Sequence, residues 1–221
     1  MKKFFVTAII GMLLLTGCSS SSTAGSNTES TPVTSDAVST VNQEIEETNG
    51  ESTEESSEGL TGNVIVPEGA TESQKQALRS ALNYLDFTAF SRQGLIDQLS
   101  SDYGDQFSVE DATWAADNCG ADWNAEALES AKNYLDMSGF SYKGLYDQLT
   151  SQYGEKFTTD EAQYAVDNCG ADWNAEAVEC AKNYLEMTSF SRQGLIDQLS
   201  SEYGDKFTVE QATYAADQVG L

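Results

Sequence analysis

The last two-thirds of the chain repeats the same sequence pattern three times without a gap, at a period of 50 residues. The repeated aromatic and glycine residues are Tyr84, Phe90, Gly94, Tyr103 and Phe107, then Tyr134, Phe140, Gly144, Tyr153 and Phe157, then Tyr184, Phe190, Gly194, Tyr203 and Phe207. Because the period never shifts, each copy is predicted to bury the same side chains in the same places. The chain is therefore expected to fold as one supersecondary unit copied in tandem.

Within one copy, the apolar residues follow helical rather than strand spacing. Three such groups occur in the first copy: Ala77, Ala81, Tyr84 and Leu85; Leu95, Ile96, Leu99 and Tyr103; and Ala112, Ala115, Ala116 and Cys119. We predict an all-α fold of three tandem repeats, each of about 50 residues and three helices in a helix-turn-helix-like arrangement, after a disordered acidic linker.

The predicted helix ends carry capping signals. Hydroxyl residues stand three positions before an acidic or amide residue in Ser108 and Asp111, Thr158 and Glu161, and Thr208 and Gln211, which is the spacing of a capping box. Glycines follow two of the helices in each copy, and Gly104 and Gly120 are predicted to end them in the left-handed conformation. The segment around Gly120 lacks oxygen ligands at two positions of a calcium loop, so we expect a helix stop and start there, with Asp122 or Asn124 as N-cap.

The N-terminal segment has the pattern of an export signal. Lys2 and Lys3 precede an apolar run over residues 4–15, which is too short to span a membrane. The run closes on a Leu-Thr-Gly-Cys sequence that resembles a bacterial lipobox, ending at Cys18. We expect residues 1–17 to be removed and acylated Cys18 to hold the protein in the lipid bilayer, at the outer face of the cytoplasmic membrane.

Residues 18–74 are predicted to form a disordered linker. From residue 19 to 74 the chain has eleven acidic residues, no basic residue and many Ser and Thr. Such a segment buries too little apolar surface to offset the entropy of ordering, and a coil of this length spans roughly 40 Å. The repeats are then placed at residues 75–124, 125–174 and 175–221.

Charge excludes one function that helix-turn-helix units often have. From Lys75 onward the chain carries nine basic and 25 acidic residues, a net charge of −16. A surface of this sign repels phosphate, so no nucleic-acid partner is expected.

The repeated pattern resembles the Ltp-type host cell surface-exposed lipoproteins. The residues that carry the resemblance are Ala81, Tyr84, Leu85, Phe90, Ser91, Gly94, Leu95, Gln98, Leu99, Gly104, Phe107, Ser108 and Ala112, closed by Asp122, Trp123 and Asn124. The resemblance covers roughly residues 76 to 221, and the lipobox and polar linker complete the layout. It implies a helical repeat domain, and some phage-borne members of the family act in superinfection exclusion by contacting a phage protein.

Catalysis and metal binding find little support. The chain has no histidine, which removes the commonest general base, and no catalytic residue is predicted. Cys119 and Cys169 recur at a position held by Val219 in the third copy, which indicates small apolar core sites. Buried thiols are therefore favoured for these and Cys180, although a Cys169–Cys180 disulfide stays open; no metal site or cofactor is expected.

The remaining candidate site is a set of surface carboxylates. Asp97, Asp147 and Asp197 occupy the same position of the second helix in all three copies and could form an acidic stripe that meets a partner protein. We expect a monomeric, non-enzymatic binding protein, with a phage protein as a candidate partner. The alternatives are an envelope or adhesion module for wall glycan or a host ligand, and a structural spacer.

Overall fold

The computed structural model describes residues 66–221, so the predicted signal peptide, the lipobox with Cys18 and the linker up to residue 65 lie outside it. The described residues form nine α-helices and no strand. The first repeat contains α1 (Glu72–Phe87), α2 (Arg92–Ser100) and α3 (Val109–Asn118); the second contains α4 (Trp123–Met137), α5 (Tyr142–Thr150) and α6 (Thr159–Asn168); the third contains α7 (Trp173–Met187), α8 (Arg192–Ser200) and α9 (Val209–Gln218). The predicted all-α triple repeat is confirmed.

Each repeat has its own apolar core. The first and third helices of each repeat pack against each other, and the short second helix also packs against the third. Leucines of the second helix are fully buried at Leu95 and Leu99, at Leu145 and Leu149, and at Leu195 and Leu199. Small alanines fill the facing positions, which lets the helices approach closely. Since the extensive helix packing lies within repeats, smaller contacts join one repeat to the next.

The helix starts follow the capping signals, with two differences. Thr158 and Glu161 form the predicted reciprocal capping box, as do Thr208 and Gln211. At α3 the Ser108 hydroxyl caps the helix, but the Asp111 carboxylate instead accepts a hydrogen bond from the Ser73 hydroxyl at 2.6 Å.

The first helix begins at Glu72, inside the segment assigned to the linker, because Thr71 and Gln74 form a further capping box. At the unit boundaries Asp122 caps α4 and Asp172 caps α7, so the helix stop and start predicted after Gly120 is present.

The prediction that Gly104 is left-handed is wrong. The left-handed residue of the turn between the second and third helices is Gln106, with φ of 60°, and Lys156 and Lys206 have the same φ of 60°. Gly104 is needed for space instead, because a Cβ there would lie 2.0 Å from the carbonyl oxygen of Gln98. The glycines that do end helices in the left-handed conformation are Gly120, Gly170 and Gly220, as predicted for this position in all three copies.

The burial predicted for one repeated aromatic is also wrong. Tyr103, Tyr153 and Tyr203 are 100, 93 and 98 % exposed. The second helix ends three residues earlier at Ser100, so Tyr103 stands in the turn rather than on the apolar face of the helix. The backbone N–H of Tyr103 donates to the Ser101 hydroxyl at 3.1 Å and holds this turn, and the other two repeats have the same bond. The ring therefore recurs at this point for a reason other than core packing.

Candidate functional site

The repeats are joined where a turn of one repeat meets the start of the second helix of the repeat before it. The Ser91 hydroxyl caps α2 by accepting a hydrogen bond from the N–H of Gly94 at 2.9 Å. The same hydroxyl donates to the carbonyl oxygen of Glu155 in the second repeat. Ser141 makes both contacts at the second junction, with the carbonyl of Asp205. Ser91 and Ser141 are only 1 and 2 % exposed, so these polar contacts lie inside the junctions.

Two of the predicted binding residues, Asp97 and Asp147, lie at the junctions between repeats. Asp97 forms an ion pair with Lys156, and Asp147 forms the equivalent pair with Lys206 at 2.5 Å. Both lysines are the left-handed residues of the turn. The Asp97 and Asp147 side chains are each 42 % exposed, so each pair contributes under about 1 kcal/mol. These two carboxylates therefore have a role between repeats, and the proposed partner would reach only their exposed part.

A carboxylate of the following repeat closes each junction. The backbone N–H of Phe90 donates to Glu126 at 3.2 Å, and that of Phe140 donates to Glu176 at 3.4 Å. Burial raises the pKa of both glutamates, and the backbone hydrogen bond partly opposes that rise. Because these side chains are drawn out of water, their contacts contribute to the alignment of neighbouring repeats.

Within each junction, two facing residues are matched in side-chain size. Cys180 donates its S–H to the carbonyl oxygen of Gly139 at 3.1 Å, across the second junction. One period earlier the corresponding residues are Ser130 and Ala89, which are 5 and 9 % exposed. The larger Cys180 is therefore paired with the residue that lacks a Cβ, and the smaller serine with alanine.

The tryptophans at the unit boundaries pack against the core of the preceding repeat. Trp123 begins α4 of the second repeat and packs against the core of the first, and Trp173 packs likewise against the core of the second. Tyr142 meets the Trp173 ring edge to face, with ring centroids 5.5 Å apart. This geometry supports packing between units as the role of the tryptophans.

The third repeat carries the same junction side chains, but none of residues 66–221 covers them. Ser191 caps α8 through the N–H of Gly194 at 3.1 Å and is exposed. Asp197 is exposed too; it accepts a hydrogen bond from Gln193 at 2.8 Å and forms no ion pair with a described residue. We call Phe190, Ser191, Gly194 and Asp197 the third acceptor face. Of the three predicted binding residues, Asp197 is the most accessible.

The junction lysines were not predicted, although the sequence carries a signal for them. Repeats two and three carry Lys156 and Lys206 where the first repeat has Gln106. They also carry Glu126 and Glu176 where the first repeat has Gln76. At these two positions the charge is absent only from the first copy, and each later copy uses it to contact the copy before it.

The thiols of the repeat region are poorly placed for chemistry. Cys119, Cys169 and Cys180 are free, and the first and last are buried. Burial, followed by the charge of Asp205, raises the pKa of Cys180 to about 12, which keeps it as the unreactive thiol. Within residues 66–221, no group of three or more metal-ligating side chains occurs. No helix in that range is both long and apolar enough to cross a membrane.

Comparison with known proteins gives the chain its family. The family described as host cell surface-exposed lipoprotein, of the Ltp type, matches residues 72–119, 122–169 and 172–219. Among solved structures, the chain is similar to Ltp, a superinfection exclusion protein from the Streptococcus thermophilus temperate phage TP-J34. The two share 36 % identity over 45 % of this chain and 97 % of that one, with a TM-score of 0.41. No curated protein sequence matches.

The three matches coincide with the three helical repeats and together cover more than half of the chain. The resemblance expected from the repeated sequence pattern is thereby confirmed. The chain belongs to the Ltp family of host cell surface-exposed lipoproteins.

Proposed function

We propose that this lipoprotein, anchored through acylated Cys18, acts in superinfection exclusion by binding a phage protein and so blocking entry of phage DNA. Its family supports the surface location, and the related phage protein is a superinfection exclusion protein. The linker of residues 18–74 would hold the repeats away from the membrane.

The observation that carries binding as the function is the exposed tyrosine of each repeat. Tyr103, Tyr153 and Tyr203 recur at one position of the turn and leave nearly their whole side chains in water. A ring that adds little to its own core has no folding reason to recur there. Tyrosine gives a large, rigid contact area with only two side-chain torsions, which suits it to binding sites. Three equal contacts on one array also allow a partner with repeated features to bind with avidity.

Charge supports a protein partner of basic character. The repeat region has a net charge of −16, which raises the encounter rate with a cationic surface. Asp97, Asp147 and Asp197 add local negative charge on the second helices, and Asp197 does so without a lysine partner among the described residues.

A non-enzymatic mechanism fits the titratable groups. Burial keeps Cys119 and Cys180 protonated by raising the pKa of each thiol. Burial and the neighbouring carboxylate of Asp205 raise the pKa of Tyr184 to about 12, so it too stays neutral. Groups held in these states neither attack substrates nor accept protons near neutral pH.

One observation favours a second candidate, an envelope or adhesion module. Exposed tyrosine rings such as Tyr103 can stack on sugar rings as well as on proteins. The strong negative charge opposes simple attraction to anionic wall polymers, so this candidate predicts retention on neutral glycan rather than on the intact wall.

The proposal is tested by measuring phage adsorption and DNA entry in a sensitive host that expresses the full chain. Normal adsorption with failed DNA entry is expected, and Cys18→Ser should abolish this block because it removes the anchor. Replacing Tyr103, Tyr153 and Tyr203 together by serine should also restore DNA entry.

The matched control is serine replacement of Tyr164 and Tyr214, which are 43 and 44 % exposed and lie on the third helices instead of in the turns. This control should leave the block intact. Normal DNA entry for every phage of a broad panel would refute exclusion, and retention on purified glycan would then favour the second candidate.

A further inference from the structure

The third acceptor face repeats a surface that is occupied elsewhere in the same molecule. In the first two repeats, this surface binds a turn of the following repeat through a serine hydroxyl and an aspartate, and its backbone N–H donates to a glutamate at a helix start of that repeat. The third repeat keeps Phe190, Ser191, Gly194 and Asp197 at the equivalent positions. There the serine is exposed, whereas Ser91 and Ser141 are 1 and 2 % exposed.

The two occupied junctions define what such a surface binds. The occupant supplies an outward-facing main-chain carbonyl at Glu155 and, at the next residue, the ammonium group of left-handed Lys156. A carboxylate from a neighbouring helix start, Glu126, accepts the backbone N–H of the aromatic residue. The second junction repeats all three contacts, so the set is a general recognition pattern and not one local accident.

The first repeat lacks this chemistry. It carries neutral Gln106 and Gln76 where the later repeats carry lysine and glutamate, and Asp105 and Gln106 are exposed. A second copy of the chain that stacked head to tail through its first repeat would therefore offer no cation to Asp197. This difference argues against a second copy as the occupant.

We propose that the third acceptor face binds a lysine-bearing turn of a partner protein, which reproduces the contact between repeats. A main-chain carbonyl of the partner accepts from the Ser191 hydroxyl, the following lysine pairs with Asp197, and an acidic side chain accepts from the N–H of Phe190. The absence of a side chain at Gly194 leaves the approach open, since no atom outside its own helix start lies near its Cβ position. The proposal rests on protein binding as the function and names the site for it.

The probe is a cyclised peptide of residues 150–158, which carries the turn of the second repeat with Lys156. The protein is the chain from residue 18 with Cys18→Ser, labelled with ¹⁵N so that each backbone amide is followed by NMR. A single turn makes few contacts, so we expect weak binding with Kd of about a millimolar. Saturable shifts are expected for the amides of residues 190–197, while those of residues 90–97 and 140–147 stay still because their surfaces are filled.

Two matched variants test the recognition itself. The peptide with Lys156→Gln, which copies the residue of the first repeat, should bind about two- to fivefold more weakly, and the protein variant Asp197→Asn should lose affinity to the same extent. The proposal is overturned if residues 190–197 do not shift, if the glutamine peptide binds equally, or if all three repeats respond alike.

Sedimentation over a range of protein concentrations tests whether a second copy of the chain binds the third acceptor face. A self-association that disappears in Asp197→Asn would identify a second copy on this face and would overturn the partner proposal. The peptide assay involves no phage, so its failure with intact exclusion counts against this site alone. Peptide binding without exclusion counts against the proposed function.

Discussion

The size match at the second junction predicts the outcome of Gly139→Ala. A Cβ built on Gly139 would lie 2.7 Å from the carbonyl oxygen of Glu176 and 2.9 Å from the sulfur of Cys180. Both separations are shorter than van der Waals contact, and one of the atoms belongs to the backbone. The third repeat must therefore move away from the second, or the helix that carries Cys180 must shift.

The magnitude follows from two opposing contributions. Overpacking in a close-packed site lowers the free energy of unfolding by about 1–3 kcal/mol. Alanine in place of glycine also restricts the unfolded chain, which raises the free energy of unfolding by about 0.4–1 kcal/mol. We expect Gly139→Ala to lower the free energy of unfolding by about 1–2 kcal/mol. For a repeat region of this size, Tm should fall by about 2–8 °C.

A second substitution shows whether the sulfur is the cause. At the first junction Ala89 and Ser130 occupy the same positions, so Cys180→Ser in the Gly139→Ala background recreates a pair that the protein already accommodates. Urea unfolding of the four chains of this double-mutant cycle should give a coupling of about 1 kcal/mol in favour of the double variant. Additive effects, or a Gly139→Ala chain as stable as the parent, would refute size matching.

The remaining predictions concern the turn, the helix cap and one buried carboxylate. Ser91→Ala should lower the free energy of unfolding by about 2 kcal/mol, because it removes a helix cap and the hydrogen bond to the next repeat. Ser191→Ala should lower the free energy of unfolding by about 1 kcal/mol, because it removes the cap alone. Urea unfolding measures both losses, and equal losses would contradict the junction role of Ser91. Gln106→Gly should raise stability by up to about 1 kcal/mol, seen as a higher urea midpoint, because glycine takes the left-handed φ without strain; a lower midpoint would contradict this. Burial raises the pKa of Asp205 above its ordinary value of 3.8, and its buried Oδ2 has no hydrogen-bond partner among the described residues. The stabilising contribution of a group with a raised folded pKa is present below the unfolded pKa and is lost as pH rises through the folded pKa. Asp205→Asn should therefore raise Tm at pH 7, and this gain in Tm should disappear below about pH 4, where the Asp205 carboxyl is protonated. A gain in Tm that does not depend on pH would be evidence against titration of Asp205 as its cause.

The sequence predicted the helices well because their signals are local. Capping residues such as Thr158 and Glu161 act within one turn, and the spacing of residues such as Leu95 and Leu99 lies within one helix. The contacts between repeats were harder to predict, since Lys156 meets a carboxylate 59 positions away. A period shows that a residue recurs, but not whether it recurs for its own core, for the next repeat or for a partner.

Tyr103 and Asp97 illustrate this limit. Both recur at the 50-residue period, yet Tyr103 points into water and Asp97 contacts the next repeat. The proposed partner role of Asp97, Asp147 and Asp197 stays a prediction, with different weight for each. Asp197 can offer its full charge to a partner, whereas the other two already share theirs with lysines.

The junctions give the array a direction, and this bears on how it assembles after export. In each junction the earlier repeat supplies the receiving serine, and the later repeat supplies the turn that covers it. A chain that leaves the cell from its N-terminal end therefore exposes each receiving surface first and completes it only when the next 50 residues arrive. Every repeat has its own core, and for each of the first two repeats the next repeat adds a boundary tryptophan that packs against that core. Assembly would then run outward from the membrane one unit at a time, without long-range rearrangement.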